Sequence, residues 1–427
     1  MTLRHAGEIV RSVRRAKGLT LTDLGRLTGY SASQVSRLER GIVPLTDTVV
    51  LRSFAAALGL SPTVFGLLDI GVHAMTGHAV TPSHAADTVS GGSSDDEGTD
   101  PMRRRTLLTA AGLSIPLSLL RGVDDALAVP QLPDRPAGPE EAAQLLRAAR
   151  RQFDVSDLSG LTAALPGLLA TARGAADQAN TPAAWALVSA SYGLATDTLN
   201  KIGSKSSAQI AAERAVLYAD RSEEPVTRAA SMRARGMMLR KQGRPDLAAI
   251  LMTRGVDQLE ATGLKTTAQV DMYLRILCAR AYTYSWAGDR DRALEGIAEA
   301  EHAAVRVPAM SPTAKPFTVL YRSNIHYVLG DAGSALHAAQ NLRDEMFFTP
   351  ERRGRLNTDL ARYWAQWGKP EQTAAALLAA HQHAPAEVLD RPSIRMIAAE
   401  LVERHPRVAG VSQLARAISR PLTMPVA

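Results

Sequence analysis

Four glycines set the architecture of most of this chain. Gly243, Gly288, Gly330 and Gly368 each close an apolar, helix-patterned run, and a small residue precedes each by seven positions: Gly236, Ala281, Ser323 and Ala361. Five positions after the first three come Ala248, Ala293 and Ala335, with Thr373 after the fourth. Small residues at those places let two helices approach closely, and a glycine between them permits the positive φ of a tight reversal. A chain patterned this way is expected to form antiparallel helical hairpins that stack, because one hairpin cannot bury its apolar face alone. From Pro139 onward no alternating strand pattern competes with that reading.

The pattern matches that of tetratricopeptide repeats, whose hairpins recur about every 34 residues. The spacings between turn glycines here are 45, 42 and 38, which implies longer connections between hairpins. An earlier hairpin is expected over Trp185–Ala219, ending near Pro225, and Trp286, Trp364 and Trp367 are expected in hairpin cores. The expectation for residues 137–427 is a tetratricopeptide-like α-solenoid.

Residues 1–70 are different in charge and in pattern. Arg4, Arg11, Arg14, Arg15, Lys17, Arg26, Arg37, Arg40 and Arg52 make them basic. Residues 71–102 carry Asp87, Asp95, Asp96, Glu97 and Asp100 and lack periodic apolar positions, so they read as a disordered acidic linker. The formal net charge of +7 permits an acidic partner, and its distribution concentrates the basic residues in the first block.

Within that block, Leu19–Gly41 has the spacing of a helix-turn-helix. Thr20 with Asp23, and Ser31 with Gln34, are two capping boxes that each open a short helix. Gly29 supplies the turn between them, and Gly25 is small where the helices cross. Leu24, Leu27, Val35 and Leu38 are expected on the inward face, with Ile9 and Val13 continuing it on a preceding helix. Two further helices are expected at Val49–Leu58 and from Ser61-Pro62. These five helices resemble the XRE (lambda-repressor/Cro-like) family over residues 5–68.

The resemblance implies a DNA-binding domain whose second motif helix reads the major groove. Carried onto this chain, the base-contacting positions are Ala32, Ser33, Gln34 and Arg37. Gln can bind adenine and Arg can bind guanine, each in a bidentate manner; Ala32 departs from the polar residue often found at its place. Arg14, Thr20, Ser31, Ser36 and Arg40 are expected at phosphates, which orient the protein without reading sequence. The family also implies an ion pair between Glu39 and a helix-1 arginine, here Arg14.

Residues 103–136 form an apolar helix or linker segment. Arg103-Arg104-Arg105, an apolar run and Ala126-Leu127-Ala128 resemble a twin-arginine export signal. A preceding domain argues against export, and the run Leu107–Leu120 is short of the ~20 residues that span a bilayer, with Pro116 inside it. The expectation is a helix packed on the solenoid, with 107–120 the one stretch where membrane association is weighed. A cytoplasmic protein is expected, consistent with a single cysteine, Cys278.

On the solenoid, the groove-facing candidates are Arg233 and Arg240, Arg275 and Tyr282, Asn324 and Tyr327, then Arg355 and Arg362. Arginines recurring on one face suit a carboxylate or an acidic peptide. The two-domain order resembles peptide-pheromone-sensing regulators of Gram-positive bacteria. It is more similar to actinobacterial regulators that carry an Asp-Leu-Ala-Arg…Gln-Trp-Gly block, here Asp359–Gly368. That implies a sequence-specific, homodimeric transcriptional regulator of double-stranded operator DNA, with a peptide, small molecule or partner protein in the repeat groove. The alternative is a non-catalytic interaction scaffold whose helix-turn-helix docks a protein. No phosphate loop, nucleophile elbow or His-Glu-x-x-His motif is present, and His381 and His383 are two apart on a helix, so neither an enzyme, a cofactor nor a metal is expected.

Overall fold

The computed structural model describes residues 4–30, 32–39, 48–60, 64, 115–129, 133, 137–306 and 314–419. Among these every regular element is helical, and the chain divides into two units, Met1–Arg104 and Arg105–Ala427. The acidic linker, residues 103–114 and the expected fifth helix at Ser61-Pro62 lie outside the described residues.

The first unit contains α1 (Arg4–Ala16), α2 (Leu21–Thr28), α3 (Ala32–Glu39) and α4 (Thr48–Leu58). Val10, Leu24, Val35, Leu38, Leu51, Phe54 and Leu58 form its core, and the Tyr30 and Phe54 rings pack with centroids 5.7 Å apart. Two expected core positions differ. Leu27 is 58% exposed, and on α1 the fully buried residue is Val10, with Ile9 only half-buried. On α2 the buried pair Leu24 and Gly25 centres the inward stripe toward Leu21 and Thr28, which turns Leu27 away. On α1 the stripe follows Gly7, Val10 and Arg14, and Ile9 falls to its side.

Gly7 is where α1 meets α3. A Cβ there would lie 2.4 Å from the Leu38 carbonyl oxygen and 3.2 Å from that of Glu39. Both obstacles are backbone, so the helices must separate. Gly7→Ala is expected to cost about 1–3 kcal/mol, read as a lower thermal midpoint of isolated residues 1–70. An unchanged midpoint would show that α1 and α3 are not in this contact.

The second unit opens with α5 (Leu117–Ala128), which starts directly after Pro116 and buries Leu120, Val123 and Leu127. It packs on the second and fourth of the helices that follow. Those are α6 (Pro139–Asp154), α7 (Leu158–Ala179), α8 (Pro182–Lys201), α9 (Lys205–Ser222), α10 (Pro225–Lys241), α11 (Pro245–Glu260), α12 (Thr267–Trp286), α13 (Arg290–Arg306), α14 (Ala314–Val328), α15 (Ala332–Ala339), α16 (Pro350–Gln366) and α17 (Pro370–His383). Paired in order they are six antiparallel hairpins, and α18 (Pro385–Leu389), α19 (Pro392–Arg404) and α20 (Val411–Ser419) complete the unit. The all-α, tetratricopeptide-like solenoid is the observed fold.

The four turn glycines sit between the paired helices with φ of +76°, +76°, +80° and +72° in chain order, a region other residues enter at a cost. Gly236 and Ala281, two of the small residues expected at helix crossings, are buried, and a Cβ on Gly236 would come 2.6 Å from Met252 Cε on the paired helix. The connection α12 receives from α11 is six residues, Ala261–Thr266, and a 3-10 turn at Asp344–Met346 precedes α16. These connections fall within the 45- and 38-residue intervals between turn glycines.

The stack also closes on itself. Lys201, at the end of α8, donates to Glu351 of α16 at 2.6 Å and to Glu387 of α18. The Ser156 hydroxyl, between α6 and α7, donates to Glu387 at 3.1 Å, and Arg391 donates to the other oxygen of that carboxylate at 2.8 Å. Gly354 of α16 fits this junction, since a Cβ there would lie 2.8 Å from Ala384 and 2.9 Å from Glu387. Early and late hairpins are therefore joined by buried charges.

Candidate functional site

The helix-turn-helix is built by local rules. The Thr20 hydroxyl accepts from the Asp23 N–H at 3.1 Å and donates to Asp23 Oδ2 at 2.6 Å, while the Thr20 N–H donates to the same oxygen at 3.0 Å. These bonds hold the exposed Asp23 carboxyl below its usual range, the Thr20 hydroxyl contributing most. Gly29 ends α2 with φ +77° and directs the chain into α3. On α3, Val35, Leu38 and Glu39 are buried, so helical register sets positions 33 and 37 on the opposite face, with 34 and 36 flanking it. Gln34 and Ser36 are half-buried. The side chains of Ala32, Ser33 and Arg37, and the whole of Ser31 and Arg40, lie outside the described residues.

Two of the expected phosphate contacts are engaged inside the domain. Arg14 is 8% exposed; its Nε and Nη2 donate to the two Glu39 oxygens at 2.5 and 2.8 Å, and Nη1 donates to the Leu19 carbonyl at 2.8 Å. The Glu39 bond raises the arginine above its usual pKa against the opposing effect of burial. A guanidinium with all three of these nitrogens committed has no fork left for a phosphate. The assignment of Arg14 to phosphate is corrected on this geometry: it ties α1 to α3. The Thr20 hydroxyl is exposed but spent on its cap.

The second candidate site is the face formed by the first helices of the hairpins, which a stacked solenoid turns into its concave side. Arg233 and Arg240 on α10, Arg275 and Tyr282 on α12, and Arg355 and Arg362 on α16 each stand seven residues apart, two turns on one helix face. Asn324 and Tyr327 of α14 lie between them. Their side chains form a continuous ladder. Arg240 lies over the Tyr282 ring at 4.7 Å and Arg275 over Phe317 at 5.6 Å. Tyr282 and Tyr321 meet edge to face at 6.0 Å, and Arg362 lies over Tyr327 at 4.3 Å.

Several of these groups are already partnered, which limits the roles expected of them. Asp359 accepts from Arg355 at 3.0 Å, Arg362 at 3.2 Å and Asn324 Nδ2 at 3.0 Å. Burial alone would push the Asp359 carboxyl up; the three arginines Arg355, Arg362 and Arg391, with the Asn324 bond, bring it down to about 2. The Asn324 amide nitrogen is thus spent on Asp359 and on the Leu320 carbonyl, so only its carbonyl oxygen, buried and without a partner, remains for another molecule. Arg233 pairs loosely with Asp197 at 3.5 Å.

Sequence reasoning missed Asp359 as the acid that anchors this face. Arginines at i−4 and i+3 were the signal that marks it. It also missed Arg352, which shares the Phe317 ring with Arg275, and Arg391, which donates to Thr358 of α16 at 2.9 Å. Trp286 and Trp367, expected in hairpin cores, are 43% and 41% exposed. Trp286 is the last residue of α12 and Trp367 the residue after α16, where the turn leaves part of each ring in solvent. Among the described residues no group of His, Cys, Asp and Glu could hold a metal, and no helix is long and apolar enough to cross a membrane.

A family model described as a helix-turn-helix domain matches residues 5–67. No curated protein sequence matches the chain. Among solved structures, the chain is similar to PlcR of Bacillus thuringiensis, solved in complex with the peptide PapR7 and DNA, at 12% identity. That match covers 88% of this chain and 99% of the other with a TM-score of 0.29, too low for any argument to rest on it.

Proposed function

We propose that this chain is a sequence-specific DNA-binding regulator, dimeric, cytoplasmic and without catalytic activity, whose solenoid senses a ligand or partner. The observation that carries it is the capped α2–Gly29–α3 motif, at a locus that matches a helix-turn-helix domain and in the most basic part of the chain. A helix of this kind enters the major groove N-terminus first. The residues offered there are Ser33, Gln34 and Arg37, with Ala32 limited to methyl contact. So few base contacts make a single copy a weak reader, which supports two copies at operator spacing.

The test is binding to DNA from the chain's own promoter against random DNA across a salt titration. A regulator gives specific affinity at least ~10³ above non-specific affinity and a steep salt dependence. Equal, weak binding to all sequences would overturn the reading in favour of a protein-docking fold. Gln34→Ala and Arg37→Ala are each expected to lose about 1–3 kcal/mol of discrimination at one base position. Arg40→Ala is expected to weaken all sequences alike and reduce the salt slope by about 1. Identical behaviour of the three variants would refute the division between reading and positioning residues.

A further inference from the structure

Among the described residues, three cations on the first helices of the hairpins have no ion-pair partner, although Asp197 serves Arg233. Glu351 already serves Lys201 and Arg352, Asp359 serves Arg355 and Arg362, and Glu387 serves Lys201 and Arg391. Arg240, Lys241 and Arg275 make no ion pair among the described residues. Arg240 is 7% exposed, donates from Nη1 to Thr283 at 3.0 Å, and has a buried Nε with no partner. Arg275 lies over the Phe317 ring and is favoured by Asp271 without pairing with it, and Lys241 donates to the Asn200 side chain at 2.5 Å.

These cations come from distant parts of the chain yet feel one another. Arg240 is disfavoured by Arg233 and Arg355, Arg275 by Arg352 and Arg233, and Lys241 by Arg240, Arg355, Arg391 and Lys205. The rings of Tyr282, Tyr321 and Phe317 join Arg240 at one end to Arg275 at the other, and Lys241 follows Arg240 on α10. Arg275 and Lys241 keep exposed surface while protein surrounds them on most sides, as groups on the floor of a groove do. Burying unpaired like charges together is costly, and a bound counter-charge removes that cost.

We propose that this face binds a small, multiply charged oxyanion, a ligand with two or more carboxylate or phosphate groups, held by Arg240, Lys241 and Arg275. Guanidinium forks suit both groups, since each presents paired acceptor oxygens in a plane. The exposed indole of Trp286, with Arg240 5.9 Å from its ring, stands beside the cations and can cover an apolar part of the ligand. The proposal names the ligand class for the sensing role proposed above and rests on that reading.

Lys241 adds a pH signature. Burial first, then the four neighbouring cations, lower its pKa to about 8. An anion favours the protonated lysine, so affinity is full below pH 8 and declines as the pH rises through that value.

The experiment is calorimetric titration of the full-length protein with inorganic pyrophosphate, citrate and ATP, and with a hexaglutamate peptide as the macromolecular comparison. The expected result is saturable binding of at least one small anion, weakened about tenfold by Arg275→Gln or Lys241→Gln, with the pH dependence lost in Lys241→Gln. Arg275 is exposed, so its variant keeps the fold, checked by an unchanged thermal midpoint without ligand. Phosphate and carboxylate ligands are separated by the rank of pyrophosphate and citrate. Absence of binding by all three small anions, binding unaffected by both substitutions, or tighter capture of hexaglutamate would each overturn the proposal. Operator binding measured on the same preparation separates its failure from failure of the regulator reading, because the DNA helix is on the other unit.

Discussion

Lys201→Ala is expected to lower the unfolding free energy of the solenoid unit by about 3–5 kcal/mol. The ammonium is 6% exposed and bonds two carboxylates, one 6% and one 0% exposed, that belong to helices 150 and 186 residues further on. Removing it leaves the buried Glu351 with the half-exposed Arg352 at 3.5 Å and leaves the buried Glu387 with Arg391 and Ser156. An uncompensated buried charge costs more than the pair was worth, which is why deletion of one partner is so damaging. Chemical denaturation of residues 105–427 reads the effect, and a loss below about 1 kcal/mol would show that the junction is wet or unformed.

The same junction predicts acid behaviour. Burial would raise Glu351, but Lys201 and Arg352 hold it below its ordinary value, and Asp359 is likewise brought down to about 2. A depressed folded pKa means stability that is complete above the unfolded value and lost as the pH falls through the folded one. The solenoid should therefore hold its fold at pH 5 and lose stability as the pH falls from about 4 to about 2.

Glu39→Ala is expected to cost the first unit about 3–5 kcal/mol, enough to unfold a domain of this size at moderate temperature. It strands Arg14, whose side chain is 10% exposed, between α1 and α3. DNA affinity should fall at every salt concentration, with the circular dichroism of residues 1–70 falling in parallel. Arg14→Met should behave the same way. Had Arg14 been a phosphate contact, the variant would keep its fold and lose about one unit of salt slope. A folded Arg14→Met domain with a reduced slope would restore the phosphate role.

The sequence made some parts of this molecule easy to read and hid others for identifiable reasons. Turns that need a left-handed residue announce themselves through glycine, so the later hairpins were legible from Gly243 onward. The first hairpin, α6 and α7, turns through Ser156 at φ +59°, a residue that carries no such signal. Helix caps such as Thr20 with Asp23 were legible because both partners lie within one turn. Core faces were legible at their centres, at Leu24, Val35 and Leu38, and misread at their edges, where Leu27 and Ile9 differ from true core by one position on the helix. The paired positions Arg233 with Arg240, Arg275 with Tyr282 and Arg355 with Arg362 were legible as shared helix faces because each helix keeps its register over two turns. What a single helix cannot reveal is curvature accumulated over many. The meeting of Lys201 with Glu387 follows only from the summed rotation of the hairpins between them.

That closure changes how the stack can come apart. A row of hairpins in contact only with its neighbours behaves as a one-dimensional chain, free to fray from either end one unit at a time. Joining the early hairpins to the late ones removes the free ends, as closing a sheet into a barrel removes its edge strands. Amide protection in the solenoid should then be even along the chain, without the gradient from middle to ends that an open array shows. In such a loop no hairpin can shift alone, so a molecule settling among the central arginines pulls on the whole circuit at once.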